Sequence, residues 1–137
     1  MTYLLDTVTV IAILDREPKA YTTYLHARLL HKTININGIC YYEIKRGYYE
    51  INISPQSEQI YSFNQLCNVC EMLLFDDVTV WDKAAELWAN IPKGTPLKEH
   101  DLLIATHANF HNLIPVTKDS DFTRVKKYIG VQIEDWT

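Results

Sequence analysis

The sequence predicts an α/β fold: an open, mostly parallel sheet with helices on both faces. Three observations predict it. Short runs of apolar or β-branched residues recur along the chain, as in Tyr3-Leu4-Leu5 and Thr33-Ile34-Asn35-Ile36. Longer stretches come after them in which apolar residues return at helical spacing. The two kinds of segment alternate from one end to the other, the pattern of successive strand–helix units.

Taken in order, residues 2–5 read as a short buried strand. Thr7 is placed to cap a helix through Leu14, although Val8, Thr9 and Val10 are poor helix formers, so packing must decide there. Asp15-Arg16-Glu17-Pro18 breaks that element. A helix over 19–31 carries Tyr21, Tyr24, Leu25 and Arg28, and a second strand covers 33–36. Asn37-Gly38 turns the chain. A helix over 39–51 has Tyr41, Ile44, Tyr48 and Ile51 as its apolar stripe, with Glu43, Arg46, Gly47 and Glu50 together on another face. Ser54-Pro55 opens the next helix, to about Glu71, since Ser caps well and Pro suits the first helical position.

Residues 72–75 predict a third strand, ended by Asp76-Asp77, which cap the next helix. That helix, over 78–91, turns Val80, Ala84, Leu87 and Trp88 inward. Pro92-Lys93-Gly94-Thr95-Pro96 is a loop. A helix from Lys98 or Glu99 reaches Phe110, a fourth strand spans 113–117, and 119–127 form a turn and short helix. Residues 131–133 make a last strand, with Trp136 over an edge. No internal repeat or domain boundary interrupts this order, so residues 1–137 read as one domain.

With 137 residues, 47% hydrophobic and 22% charged, the chain can bury a substantial core. No apolar run approaches the length of a membrane span, and the N-terminus lacks a basic leader before a long apolar stretch, so a cytoplasmic location is expected. Three cysteines are an odd number. Cys67 and Cys70 have C-x-x-C spacing, but they share helical spacing with Ile60, Phe63 and Leu66 and no second pair completes a zinc site. They read as small core residues. A net charge of −4 argues against a high-affinity non-specific nucleic-acid binder, yet permits an enzyme whose acids sit around a cation and whose basic rim steers a phosphate.

The chemistry lies in four carboxylates. Asp6, Glu43, Asp101 and Asp119 each adjoin an apolar stretch, and in sheets of this class sites form beyond the carboxyl ends of the strands. Asp6 comes after the first strand and Asp119 after the fourth. Asp101 falls in the first turn of its helix, where the dipole favours an anion. Glu43 reaches in from the side of its helix. Gathered at one edge, the four would repel, and a divalent cation would turn that repulsion into affinity. The pattern reads as a small metal-dependent nuclease. His107 and His111 have the i, i+4 spacing of zinc ligands, but Ala108 stands where a metalloprotease carries Glu, and a surface face is the plainer reading.

Four segments carry a family resemblance: Leu4-Leu5-Asp6-Thr7, Tyr42-Glu43-Ile44-Lys45-Arg46-Gly47, His100-Asp101-Leu102-Leu103-Ile104-Ala105-Thr106-His107-Ala108, and Val116-Thr117-Lys118-Asp119-Ser120-Asp121-Phe122. In this order and spacing the chain resembles PIN-domain ribonucleases, and most closely VapC toxins of toxin–antitoxin pairs; the ending Ile133-Glu134-Asp135-Trp136 is similar to that of one VapC subgroup. The resemblance implies a three-layer α/β/α sandwich with a mostly parallel sheet. It also implies a magnesium or manganese cofactor, endonucleolytic cleavage of structured RNA such as tRNA, a homodimer, and inhibition by a VapB-type antitoxin. Asp6, Glu43 and Asp101 match the core acids and Asp119 the fourth acidic position. Thr117, Asp121, Arg46 and Thr7 are candidates for supporting the ligands or contacting substrate. Val8, Gly38 and Cys40 depart from the family pattern, where polar residues are usual.

Tyr42, Tyr49 and the 92–96 loop are candidates for substrate choice, the tyrosines equally for an interface. Three other readings compete with a toxin. One is a housekeeping PIN nuclease without an antitoxin. Another is a receiver-type phosphoacceptor domain, which would want paired early acids rather than Glu43 and Asp101 on helices. The last is a binding-only relic.

Overall fold

The computed structural model describes residues 2–74, 77–130 and 132–137. The strands β1 (Thr2–Leu5), β2 (Thr33–Asn37), β3 (Glu71–Leu73) and β4 (Ile114–Val116) form one parallel sheet in the order β3-β2-β1-β4. Around it lie α1 (Thr7–Leu14), α2 (Pro18–Leu29), α3 (Gly38–Glu50), α4 (Glu58–Val69), α5 (Val78–Asn90), α6 (Glu99–Phe110) and α7 (Asp121–Ile129). Among the described residues no helix is long and apolar enough to cross a membrane.

The pleat of β1 divides the core in two. Leu5 faces a cluster built from α1 to α4, with Val10, Ile13, Tyr24, Ile44 and Phe63. Leu4 faces the opposite cluster, with Leu87, Leu102, Ile104, Ala105, Ala108 and Phe122 from α5, α6 and α7. Neighbouring residues on a strand point to opposite faces, so this split gives the three-layer α/β/α sandwich expected. Ala105 and Ala108 of α6 are fully buried in that second cluster.

Several expected details are corrected. Asp6, not Thr7, caps α1: its Oδ1 accepts the Thr9 N–H at 2.8 Å. That cap, together with burial of Thr9, Val10, Ala12 and Ile13, carries a helix that propensity disfavours. Asn37-Gly38 is not a free turn, because Asn37 caps α3 by accepting the Cys40 N–H at 3.1 Å. Ser54 instead folds back on Gln56, and Ser57 caps α4. Cys70 is the residue that ends α4, in extended conformation, rather than a member of it. Burial pushes its thiol up to about 12 and raises Cys40 and Cys67 as well, which suits packing rather than reactivity.

The polar positions of β2 do not face solvent. Asn35 and Asn37 are buried, and Asn35 Nδ2 donates to the Tyr3 carbonyl at 2.9 Å. The stripe on α3 is only partly core: Ile44 is buried, but Tyr41 and Ile51 are exposed. Trp88 is 49% exposed rather than inward, while Val80, Ala84 and Leu87 are buried as expected. His107 is fully buried, not on a surface face; its ring lies 4.9 Å from that of His111. Phe75, Asp76 and Val131 lie outside the described residues, so the predicted ends of two strands fall there. Asp77 caps α5 through the Thr79 N–H at 2.9 Å. At the C-terminus a single parallel bridge joins Val116 to Glu134 in place of a strand. Trp136 does not cover an edge: it enters the α1–α4 core, edge-on to Tyr3 with ring centroids 5.0 Å apart.

Candidate functional site

The carboxyl ends of β1 and β4 are tied together. The Asp6 N–H donates to the Val116 carbonyl at 3.1 Å, and the Thr9 hydroxyl donates to the same oxygen at 3.0 Å. Asp6 therefore sits at the mouth of the sheet, 6% exposed, with one oxygen committed to its cap. Burial raises its pKa above the ordinary carboxylate value. The hydroxyls of Thr117 and Thr9 and the Thr9 N–H pull it back, and the charge of Asp119 pushes it further up.

Asp101 shows the stronger effect. Burial, joined by the charges of Asp119 and Asp6, lifts its carboxyl to about 6, against the pull of His100 and Lys98. Its Oδ2 is buried and has no hydrogen-bond partner. A buried carboxylate oxygen left in this state is costly unless something positive reaches it. Glu43 arrives from α3. Its Oε1 accepts the Thr7 hydroxyl at 2.8 Å, and its Oε2 stands 3.8 Å from His100 Nε2. The same imidazole nitrogen is 3.9 Å from Asp101 Oδ1, so His100 stands between the acids of α3 and α6.

Asp119 is held in a turn beyond β4. Its N–H donates to Thr117 Oγ1 at 3.0 Å, and its Oδ1 accepts the Asp121 N–H at 2.9 Å. Thr117 is thus a supporting residue twice over, beside Asp6 and beneath Asp119. Asp121 is turned to other use, paired with Arg124 at 3.1 Å. Arg46 lies on the outer surface of α3, 3.6 Å from Glu50 and over the Tyr42 ring. Lys45 lies over the rings of Tyr41 and Phe63. Val8 is exposed, so its apolar side chain does not displace a ligand. Gly38 begins α3, and the polar contact at this strand end comes from Asn37, one residue earlier.

Asp6, Asp101 and Asp119 are close enough to perturb one another's charge, and His100 links Glu43 to Asp101. Among the described residues, however, no three His, Cys, Asp or Glu side chains are gathered tightly enough to ligate one ion as they stand. The donor chemistry nevertheless suits a hard divalent cation: carboxylate oxygens, one of them buried without a partner. His100, Thr9 and Asn37 were not singled out by sequence. His100 had a signal in its place beside Asp101 at the start of α6; Thr9 and Asn37 had only their spacing after strand ends.

Beside Glu43 a cleft of about 800 Å³ opens between α1, α3 and α4, walled by Ile11, Leu14, Ile44, Tyr48 and Ile51. Of the α3 stripe that sequence assigned to the core, Ile44 stays buried, while Tyr48 and the exposed Ile51 open onto this cleft.

Comparison with known proteins agrees with this architecture. The family profile of the PIN domain matches residues 3–128. No curated protein matches the sequence. Among solved structures, VapBC2 from Rickettsia felis bound to a promoter DNA fragment is similar at 25% identity and TM-score 0.79, covering 100% of both chains. DNA-bound VapBC from Salmonella typhimurium is similar at 26% identity and TM-score 0.79, covering 100% of this chain and 99% of that one. VapBC-1 from nontypeable Haemophilus influenzae shares the fold at 23% identity and TM-score 0.77, with 99% and 98% covered.

Proposed function

The chain belongs to the PIN domain family, and from that premise we propose that it is a VapC-type toxin: a magnesium- or manganese-dependent endoribonuclease that cuts structured RNA such as tRNA. The observation that carries the reading is the buried, unpartnered Oδ2 of Asp101 among carboxylates that repel each other. Such a set is maintained against its electrostatic cost where a cation is to be bound.

Asp6 and Asp101 would hold the ion directly, with Glu43 and Asp119 completing the site or positioning the attacking water. When bound there, magnesium or manganese would supply charge neutralisation at the phosphate and water activation near neutral pH. The chain's own residues set the geometry. Thr7 fixes one oxygen of Glu43 and leaves the other toward the site. The Thr9 N–H fixes one oxygen of Asp6, and the Thr117 hydroxyl lies against the same carboxylate. Thr117 holds the turn that carries Asp119. A VapB-type antitoxin would occupy the apolar cleft beside Glu43, where it can block access to the acids. A homodimer in the cytoplasm completes the proposal.

The test is RNA cleavage by the purified protein with manganese or magnesium, followed on tRNA and total RNA. Cleavage should require the ion and stop in chelator; undiminished cleavage in excess chelator would overturn the metal mechanism. Expression alone should arrest growth, and co-expression of a small adjacent gene should restore it. Harmless expression with no such gene would remove the toxin assignment and leave the nuclease.

A further inference from the structure

The half-exposed Trp88 points to a function outside the acid cluster. It lies near the end of α5 and lines a cavity of about 300 Å³ closed by residues 91–97, with Ile91 and Leu97 as apolar walls and Lys93 at the loop. The loop is built to stay folded. The Thr95 N–H and hydroxyl both donate to the Pro92 carbonyl, at 3.2 and 2.7 Å, and Gly94 adopts φ +85°, a conformation costly for other residues. A large aromatic on a preformed concave wall offers a ring face on which a flat ligand can stack.

The cavity's position and charge name the occupant. Leu97 lines it, and Asp101 lies four residues further on, within about 14 Å of fully extended chain. Lys98 lies between them as the N-cap of α6, with Asp101 in the first turn of the same helix. Arg124 Nη1 donates to the Pro96 carbonyl at 3.3 Å and so ties α7, with Lys126 and Lys127, to the same loop. Residues 93–127 hold 6 of the 13 Lys and Arg but only 4 of the 17 Asp and Glu, two of those being the proposed ligands Asp101 and Asp119. The segment that carries the loop and α7 is thus the basic part of an acidic chain.

Resting on the nuclease reading, we propose that this cavity is a nucleobase subsite: Trp88 stacks on an unpaired base of the RNA strand close to the scissile phosphate. Lys93 and Lys98 meet the adjoining phosphates. Stacking on an aromatic face tolerates any base, so the size and walls of the cavity, rather than Trp88, would select among them.

The test is binding of short homopolymeric RNA oligonucleotides (adenylate, cytidylate, uridylate) in EDTA, followed by tryptophan fluorescence and by anisotropy of labelled RNA. The wild-type protein should bind with quenching. Trp88→Ala should abolish the quench and weaken binding roughly 5- to 150-fold. Trp88→Phe should retain most of the affinity, which separates stacking from damage to the fold. Lys93→Ala should reduce the salt slope by about 0.7 without changing base preference. Wild-type affinity in Trp88→Ala, or no quench in the parent, would overturn the subsite. So would a Trp88→Ala protein that binds RNA normally but changes oligomeric state, which would assign the face to a second copy. Cleavage in manganese without any effect of Trp88→Ala would sink the subsite alone; a Trp88-dependent quench in a protein that never cuts RNA would sink the nuclease alone.

Discussion

Replacing Asp101 by Asn removes a charge while nearly preserving shape, and the structure sets the size of the effect. In the folded protein burial raises the Asp101 carboxyl from 3.8 to about 6. Each unit corresponds to about 1.4 kcal/mol, so ionised Asp101 costs the folded state roughly 3 kcal/mol at neutral pH. The sign comes from proton binding. Between pH 4 and 6 the folded protein holds more protons at this site than the unfolded chain, so stability falls as pH rises through that window. The penalty is absent below about pH 4 and fully present above about pH 6. An Asn side chain abolishes it but leaves a buried amide without its full complement of partners, at a cost of about 1 to 2 kcal/mol. The net gain at pH 7.5 is then about 1 to 2 kcal/mol, or roughly 3–8 °C in Tm for a chain of this size. Thermal melts of both proteins from pH 4 to 8 read it directly: Asp101→Asn should melt higher at pH 7.5, the two curves should cross as pH falls through the window, and near pH 4 the variant should melt lower by the amide cost alone. An equal gap at every pH would mean that the difference lies in packing and not in the charge of Asp101.

Three further outcomes are expected from the same site and from the helix ends. Manganese at a hundredfold excess over its dissociation constant should stabilise the native protein by about 3 kcal/mol, reversibly with chelator, and Asp101→Asn should lose most of that gain; equal stabilisation of both proteins would place the ion elsewhere. Asp6→Asn keeps a cap acceptor for the Thr9 N–H and should remove RNA cleavage without lowering Tm, whereas Asp6→Ala also loses the cap, worth about 1 kcal/mol, as circular-dichroism melts of the pair would show. Arg16, His31, Asn52 and Asn112 each end a helix with φ near +55°, so His31→Gly should raise stability by about 0.5–1 kcal/mol, and an unchanged or lower midpoint in urea would show that the left-handed turn carries no strain.

The sheet was legible because parallel strands buried on both faces leave short apolar runs, and helices leave periodic ones. The places of Asp6, Asp119 and Asp101 in the fold were legible because strand ends and a helix first turn are fixed by the element pattern. What sequence could not show depends on tertiary neighbours. Asn35 looks like the wet side of an alternating strand, yet it lies in the covered face and its amide is satisfied by Tyr3. His107 looks like a polar position on α6, yet the close packing of α5, α6 and α7 leaves it buried. Ser54 and Ser57 are equal as caps by residue type, and only the turn through Gln56 decides between them. The apolar stripes of α3 and α5 report that those faces want cover. They do not report whether the cover is core, as at Ile44, or a cleft or cavity, as at Ile51 and Trp88.

Asn37 shows how finely charge is set at this edge. In the sheet register Leu4 pairs with Asn35, so Asn37 stands level with Asp6, two residues further along each strand. Both residues cap a helix through a side-chain oxygen, Asp6 for α1 and Asn37 for α3. Asn37 is fully buried, and its Nδ2 has no hydrogen-bond partner. As caps Asn and Asp are nearly equivalent, so Asn37→Asp preserves the start of α3 and alters only charge. The new carboxylate would be fully buried beside Asp6, and its folded pKa should be raised. Its cost should therefore be small near pH 4 and reach several kcal/mol at pH 8, while Asn37→Ala loses only the cap at every pH. If Asn37→Asp melted like the parent at pH 8, this strand end would tolerate another anion, and the crowding of charge inferred around Asp6 would be wrong.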